Sequence, residues 1–174
     1  MSTLSRSNYS RIGIVPSHCG FILQNRAFSF SLDPTYPNVL GGGKRPLNTM
    51  IPGMLTYADT DELYATISNI GGYMQPQGHL QLTVDMVAGN LDPQSAIDKP
   101  RFCVEPNGEI VRLEEGVEET TKRELEARGH KVVVVTGRDR GRFFGHAQII
   151  LRDPKTGVLW AGSDGRTDGC AVGF

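Results

Sequence analysis

Two apolar runs, Met50 to Ala58 and Glu62 to Ile70, flank Asp59-Thr60-Asp61, and they constrain the fold more than any other stretch of the chain. Apolar residues occupy both alternating sets of positions, so neither strand face is written for water. The pattern predicts a β-hairpin inside a covered sheet. Gly71-Gly72 closes the second run, and beyond Pro76 the period changes. Leu80, Thr83, Val84 and Val87 lie at i, i+3, i+4 and i+7, which predicts a helix that turns this stripe to the core and stops at Gly89-Asn90. At 174 residues the chain is long enough for one such core and short for two.

The remaining segments follow the same logic. Asp92-Pro93 places an N-cap and a first-turn proline on a short helix ending near Lys99-Pro100. Strands are predicted over Arg101 to Val104 and Glu109 to Leu113, joined at the Asn107-Gly108 turn. A helix over Val117 to Arg128 ends on Gly129, with Glu118 and Lys122 spaced for an i,i+4 ion pair. Strands over Lys131 to Val135, Ala147 to Leu151 and Val158 to Ala161 complete this half, the last two joined by a turn at Lys155-Thr156-Gly157. Near the N-terminus, Arg11 to Val15 and Phe21 to Leu23 read as strands connected through Pro16 to Gly20. Residues 31 to 46 hold three prolines and Gly41-Gly42-Gly43, too many breakers for regular structure, and are expected to form a long loop. Arg138 to Arg142 reads as a solvated charged loop.

Composition excludes several classes of function. Lys+Arg 18 against Asp+Glu 19 leaves a net charge of -1, so no basic excess points to nucleic acid. No apolar run approaches the roughly 20 residues that span a bilayer, and the opening residues lack a secretory apolar region. The compartment is left open. Cys19, Cys103 and Cys170 are far apart and odd in number, which fits neither a disulfide framework nor a metal site, and they read as small core residues. The four histidines show no metal-ligand spacing, and no cofactor is expected.

Three small clusters could carry chemistry. Gly71-Gly72 either makes a plain tight turn or presents two adjacent backbone amides as an oxyanion hole. Asn48-Thr49, between the glycine-rich loop and the first buried strand, is either turn chemistry or a pair of hydrogen-bonding side chains for a ligand carboxylate. Arg26, following Gln24-Asn25, either joins a salt bridge or offers its guanidinium to a carboxylate. No self-contained catalytic triad is present, and the residues alone support a mixed α+β or α/β sandwich fragment.

Six ordered motifs carry a resemblance that spans nearly the whole chain. They are Gly20-Phe-Ile-Leu-Gln-Asn-Arg26, Gly43-Lys-Arg-Pro-Leu-Asn-Thr49, Gly71-Gly-Tyr-Met-Gln-Pro-Gln-Gly-His-Leu-Gln81, Lys99-Pro-Arg-Phe102, Gly145-His-Ala-Gln148 and Gly162-Ser-Asp-Gly-Arg-Thr-Asp-Gly169. Together they resemble the small-subunit, C-terminal part of the γ-glutamyltransferase (glutathione hydrolase) family, nearest its cephalosporin acylase branch. The resemblance implies an α+β fold, the small-subunit portion only of the N-terminal-nucleophile-hydrolase αββα sandwich, with residues 1 to 174 as a single partial domain. It implies γ-glutamyl or acyl transfer, or amide hydrolysis of glutathione-type or glutaryl-type substrates, through an acyl-enzyme on an N-terminal Thr. Gly71 and Gly72 then correspond to the oxyanion hole, and Asn48, Thr49, Arg26 and Asn8 to substrate-binding positions. The implied partners are the small-molecule amide and the large-subunit part of the same precursor.

Departures from the family pattern sharpen the expectation. The family's nucleophilic Thr falls a strand upstream of the stretch matched by Ser7-Asn8-Tyr9, so the nucleophile and first strand are expected to be missing from this chain. A chain of this kind is inactive alone, or is a truncated non-catalytic paralogue that keeps only ligand-binding elements. Arg26 stands where glutamyl-specific members carry Gln or Glu, and Ser29 where they carry the Asp that holds the substrate α-amino group. This implies a preference for acyl groups without that amine, such as glutaryl amides.

Overall fold

The computed structural model describes residues 14–21, 23, 25–106 and 108–173. They form two compact units, one reaching to Met50 and the other starting at Ile51.

The described residues of the first unit form mostly turns. Of the two strands expected at its start, residues 11–13 and 22 lie outside the described residues, and the rest form no strand. Leu23 N–H nevertheless donates to Ile14 O at 2.9 Å across the Pro16 to Gly20 turn, so the two segments lie side by side as expected. Arg26–Ser29 forms a single 3₁₀ turn that sequence periodicity does not reveal. The long loop is irregular, as its prolines require, yet it binds itself: Asn38 Nδ2 donates to Ser29 O at 2.8 Å, and Lys44 Nζ to the Pro37 and Val39 carbonyls at 2.7 and 3.0 Å.

The second unit contains β1 (Gly53–Thr56), β2 (Leu63–Ile70), α1 (Gln75–Val87), α2 (Pro93–Asp98), β3 (Phe102–Val104), β4 (Ile110–Glu114), α3 (Glu119–Ala127), β5 (Lys131–Val135), α4 (Asp139–Phe144), β6 (His146–Arg152) and β7 (Leu159–Ser163). An antiparallel sheet has the order β1-β2-β6-β7, and a mixed sheet the order β3-β4-β5, with β4 and β5 parallel across α3. The predicted hairpin is β1–β2, with Asp61 at φ 57 in its turn. α2 begins as expected, Asp92 accepting the Gln94 and Ser95 amides. Helix α1 stops at Gly89-Asn90, where Asn90 takes φ 52 and Leu91 N–H returns to Asp85 O at 3.1 Å.

Five details depart from the expectation. The stripe assigned to the core on α1 faces outward: Leu80 is 60% and Val84 49% exposed, while Gln75, Gly78, Leu82 and Met86 are buried. The cause is the close approach of α1 to β2, since a Cβ on Gly78 would lie 2.0 Å from Asn69 Nδ2. Only a glycine lets the helix sit there, and it fixes the rotation of the other side chains. A polar residue and a glycine in the buried stripe hid it from a reading based on apolar period.

The strands β1 and β2 are covered on one face within this chain. Ala65, Ile67 and Asn69 are buried, their neighbours on the other face are half-buried, and Met54 is 69% exposed. Arg138 to Arg142 is not a solvated loop: Asp139–Phe144 is helical, because the following Phe144 is drawn fully into a second core cluster with Met74, Cys103 and Val135. Lys122 pairs with Glu119 at 3.4 Å rather than with Glu118, whose carboxylate accepts from the Thr120 hydroxyl. Of the cysteines, Cys103 is core, as expected, whereas Cys19 and Cys170 are exposed.

The main core joins α1 and α2 to the four-stranded sheet through Ala65, Ile67, Leu82, Met86, Ala96, Ile97, Ala147 and Ile149. Leu82→Ala is expected to cost about 2–5 kcal/mol, and Leu80→Ala, despite its place in the more apolar stripe, to stay within about 0.5 kcal/mol. Urea unfolding of the two variants checks this, and equal losses would return the core face to the sequence-predicted stripe.

Candidate functional site

Strand β2 ends at Ile70, and the chain reverses into α1 through two glycines. Gly71 (φ 145) and Gly72 (φ 62) both occupy backbone regions that a side chain rarely enters. The turn is closed by Met74 N–H donating to Gly71 O at 3.2 Å, so its internal bond uses a carbonyl and leaves the two glycine amides out of it. Nothing lies within 4 Å of where a Gly72 Cβ would be. A Gly71 Cβ, by contrast, would meet Gly145 Cα at 3.2 Å and Met74 Cβ at 3.3 Å. One side of the turn is therefore packed and the other open. With the N-terminal end of α1 directly behind it, the open side suits developing negative charge.

A buried ion cluster lies behind the packed side, and it was not foreseen from the sequence. Arg101 is 2% exposed; its Nη2 donates to Asp164 Oδ2 at 2.8 Å and Ile97 O at 3.1 Å, and its Nη1 to Phe144 O at 3.1 Å and Asn69 Oδ1 at 3.3 Å. Asp164 Oδ2 also accepts the Ala147 amide at 2.8 Å. Arg166 joins Asp164 Oδ1 at 3.1 Å and Glu114 Oε1 at 2.7 Å, and donates to Ile97 O at 2.8 Å. Burial opposes ionisation of Asp164, but the two guanidinium groups and the Arg166 and Ala147 amides outweigh it and hold its carboxyl below the usual range. Burial pulls Arg101 below the ordinary guanidinium value in spite of Asp164, yet arginine stays charged at neutral pH. Arg101 and Asp164 lie inside two of the quoted motifs. The available signal was an arginine between a proline and the apolar Phe102-Cys103-Val104 strand, a place where an unpaired charge cannot stay.

In the first unit, Arg26 Nη1 donates to Asn48 Oδ1 at 3.2 Å, and the same oxygen accepts Met50 N–H at 3.1 Å. The structure thus brings Arg26 and Asn48 together. It leaves the Asn48 amide nitrogen and the remaining guanidinium donors as the groups able to meet an anion. Thr49 adjoins them in sequence and is half-buried, Ser29 Oγ donates to Arg26 O at 2.8 Å, and Asn8 lies outside the described residues. Gly71 and Gly72 belong to the second unit.

The buried Cys103 is a poor nucleophile. Burial pushes the Cys103 thiol up to about 11, so it is protonated at neutral pH. Among the described residues no cluster of His, Cys, Asp and Glu could hold a metal ion. None of the described helices is long and apolar enough to cross a membrane.

This arrangement of two sheets, covering helices and a diglycine at a strand end is the small-subunit portion of the N-terminal-nucleophile-hydrolase sandwich. The chain superposes on cephalosporin acylase from Bacillus halodurans with a TM-score of 0.78 and 44% identity, covering 87% of this chain and 27% of that one. It matches the γ-glutamyltranspeptidase of Helicobacter pylori with the same TM-score of 0.78 at 23% identity, covering 96% of this chain and 91% of that solved chain. The Gamma-glutamyltranspeptidase family model matches residues 3–174, and the chain belongs to that family. A glutathione hydrolase-like proenzyme of Bacillus subtilis, YwrD, is 35% identical over 160 residues, which are 89% of this chain and 29% of the relative. The oxamate amidohydrolase proenzyme of Klebsiella pneumoniae is 30% identical over 166 residues, 93% of this chain and 30% of the relative. The chain thus spans roughly a third or less of the length of these curated relatives.

Two measurements probe this geometry. Alkylation of the native protein at pH 8 is expected to label Cys19 and Cys170 and to spare Cys103; mass mapping of the labelled peptides reads it. Because the folded Asp164 carboxyl is depressed, its contribution is complete above the unfolded value of about 3.9 and is lost as pH falls through the folded value. Asp164→Asn is therefore expected to lower stability by about 3–5 kcal/mol at pH 7, with the gap to the parent narrowing below about pH 4 in denaturant titrations.

Proposed function

We propose that the chain supplies the oxyanion-binding and carboxylate-binding parts of an enzyme that transfers or hydrolyses γ-glutamyl or related acyl amides, and that a larger chain from the same precursor completes it. The observation that carries this reading is the Gly71-Gly72 turn, open on one side and packed on the other at the end of a buried strand. A tetrahedral intermediate places a full negative charge on the former carbonyl oxygen, and two fixed backbone amides in a site sheltered from water stabilise that charge without reorganising.

In the complete protein an N-terminal Thr hydroxyl attacks the amide carbon, and its α-amino group takes the proton. Collapse of the intermediate expels the amine with that proton and leaves an ester. Water or an acceptor amine then resolves the ester by the reverse sequence. The described residues contribute charge stabilisation and substrate placement to these steps. The need for a larger partner is supported by the lengths of the relatives, all named as proenzymes, against the H. pylori chain that this one covers almost fully.

Substrate choice follows from the first unit. Arg26 and Asn48 offer donors to a carboxylate, and Ser29 spends its hydroxyl on Arg26 O, so no acid from this group meets an α-ammonium. Acyl groups with a terminal carboxylate and no amine fit best. Oxamate, named for the K. pneumoniae relative, has that character.

Purification from the native source, with intact mass of every co-purifying chain, followed by assay on glutaryl and γ-glutamyl anilides, tests both parts. A larger partner, a Thr-initiated chain and faster glutaryl turnover are expected. Equal turnover of the two anilides overturns the specificity, and a complex or lone chain that cleaves neither leaves ligand binding without catalysis.

A further inference from the structure

We infer that Arg101 is a positioning residue for the Gly71-Gly72 turn, acting through the Phe144 carbonyl and Gly145; the inference rests on the oxyanion reading of that turn. A single nitrogen, Nη1, donates to Asn69 Oδ1 at 3.3 Å and to Phe144 O at 3.1 Å. Asn69 is two residues before Gly71 on β2, and Phe144 is the residue before Gly145 at the entry to β6. One guanidinium nitrogen therefore ties together the two backbone segments that meet beside the diglycine. The other, Nη2, is anchored by Asp164, which also holds the first amide of β6 after His146 through Ala147.

Gly145 transmits this to the turn by direct contact. A Cβ there would lie 1.7 Å from Ile70 O and 3.2 Å from Asn69 Nδ2, so its backbone is laid against the Ile70 carbonyl with no room for a side chain. Ile70 C=O and Gly71 N–H belong to one planar peptide unit. Holding the oxygen end of that plane against Gly145 fixes the direction in which the Gly71 amide points at the other end. Gly145 Cα takes the space that a Gly71 side chain would need, 3.2 Å from where its Cβ would lie, and this closes the clamp.

A fold-stabilising role alone does not need this geometry, since well-packed apolar side chains commonly replace buried ion pairs without loss. What the apolar replacement cannot supply is a fork that holds Asp164 with one nitrogen while the other grips a carbonyl on one segment and an amide oxygen on the next. Lysine keeps the charge and can satisfy Asp164, but it has no planar fork to bridge the two segments as well.

The test uses Arg101→Lys in the enzyme purified with its partner chain, read by kinetics and by 1H–15N spectra of the same complex with this chain labelled. The expected result is a fall in kcat of about 10–100-fold with KM within about twofold, and displacement of the Gly71 and Gly72 amide signals while those of Ile67 and Val133 stay in place. Unmoved glycine signals and unchanged kcat, alongside lowered stability, overturn the inference. If Arg101→Lys loses its native spectrum altogether, Gly145→Ala, which leaves the ion pair intact and pushes on Ile70 O, is read by the same signals. Silence at Gly71 and Gly72 in that variant also overturns the inference. Moved glycine signals in a complex that cleaves no acyl amide keep the clamp and overturn only the oxyanion reading.

Discussion

The Arg101–Asp164 pair is the contact on which the second unit depends. Both side chains are almost fully buried, and desolvating two charges costs several kcal/mol per ion unless geometry returns it. Here the return comes from many directional partners, although the buried Arg101 Nε has none. Asp164 accepts from two arginines and two backbone amides, and Arg101 donates to two carbonyls, an amide oxygen and a carboxylate. These partners come from the end of α2, from β2, from α4, from β6 and from the segment after β7. Glu114 at the end of β4 joins through Arg166, so the same cluster couples the four-stranded sheet to the three-stranded one. Apolar packing alone would hold these elements together but would tolerate sliding; a charge cluster with directional partners admits one register.

Close backbone approach is the second constraint, and it works with the first. α1 can lie on β2 only because residue 78 has no side chain, and β6 can begin beside the diglycine only because residue 145 has none. Each contact replaces side-chain burial with backbone contact and commits the neighbouring side chains to a direction. The outward face of α1, with Leu80 and Val84 lining an open groove of about 780 Å³ together with Phe102, Val104 and Leu113, is a consequence of that commitment.

Much of the fold was legible because it rests on local chemistry. The hairpin of β1 and β2, the Asp92 cap, the Asn90 stop and the strand, helix and strand order of β4, α3 and β5 all follow from apolar period and turn residues. What failed was long-range. Apolar period turns helix α1 to the wrong face because it counts apolar residues and cannot weigh a glycine against an asparagine on another strand. The α4 segment reads as solvated loop because its charges outnumber the Phe143-Phe144 pair that anchors it. At the site, the diglycine stands at the end of its strand as expected and Arg26 meets Asn48, but Arg101 and Asp164, 63 residues apart in sequence, carried no spacing signal that would link them.

The two halves of the proposed chemistry rest on different kinds of structure, and this bears on how substrate range can change. The diglycine lies beside a buried, multiply bonded cluster, where a substitution strands a charge or drives a side chain into backbone. Arg26, Asn48 and Ser29 sit instead among turns whose hydrogen bonds are local and mostly exposed, so replacing one of them disturbs few others. Exposed positions of this kind tolerate exchange within about 0.5 kcal/mol, whereas a broken buried pair costs about 3–5 kcal/mol. Under the proposed function, acyl-group preference is thus free to drift while the diglycine turn stays fixed. Relatives named for glutathione, oxamate and cephalosporin around one fold are the outcome such an asymmetry predicts.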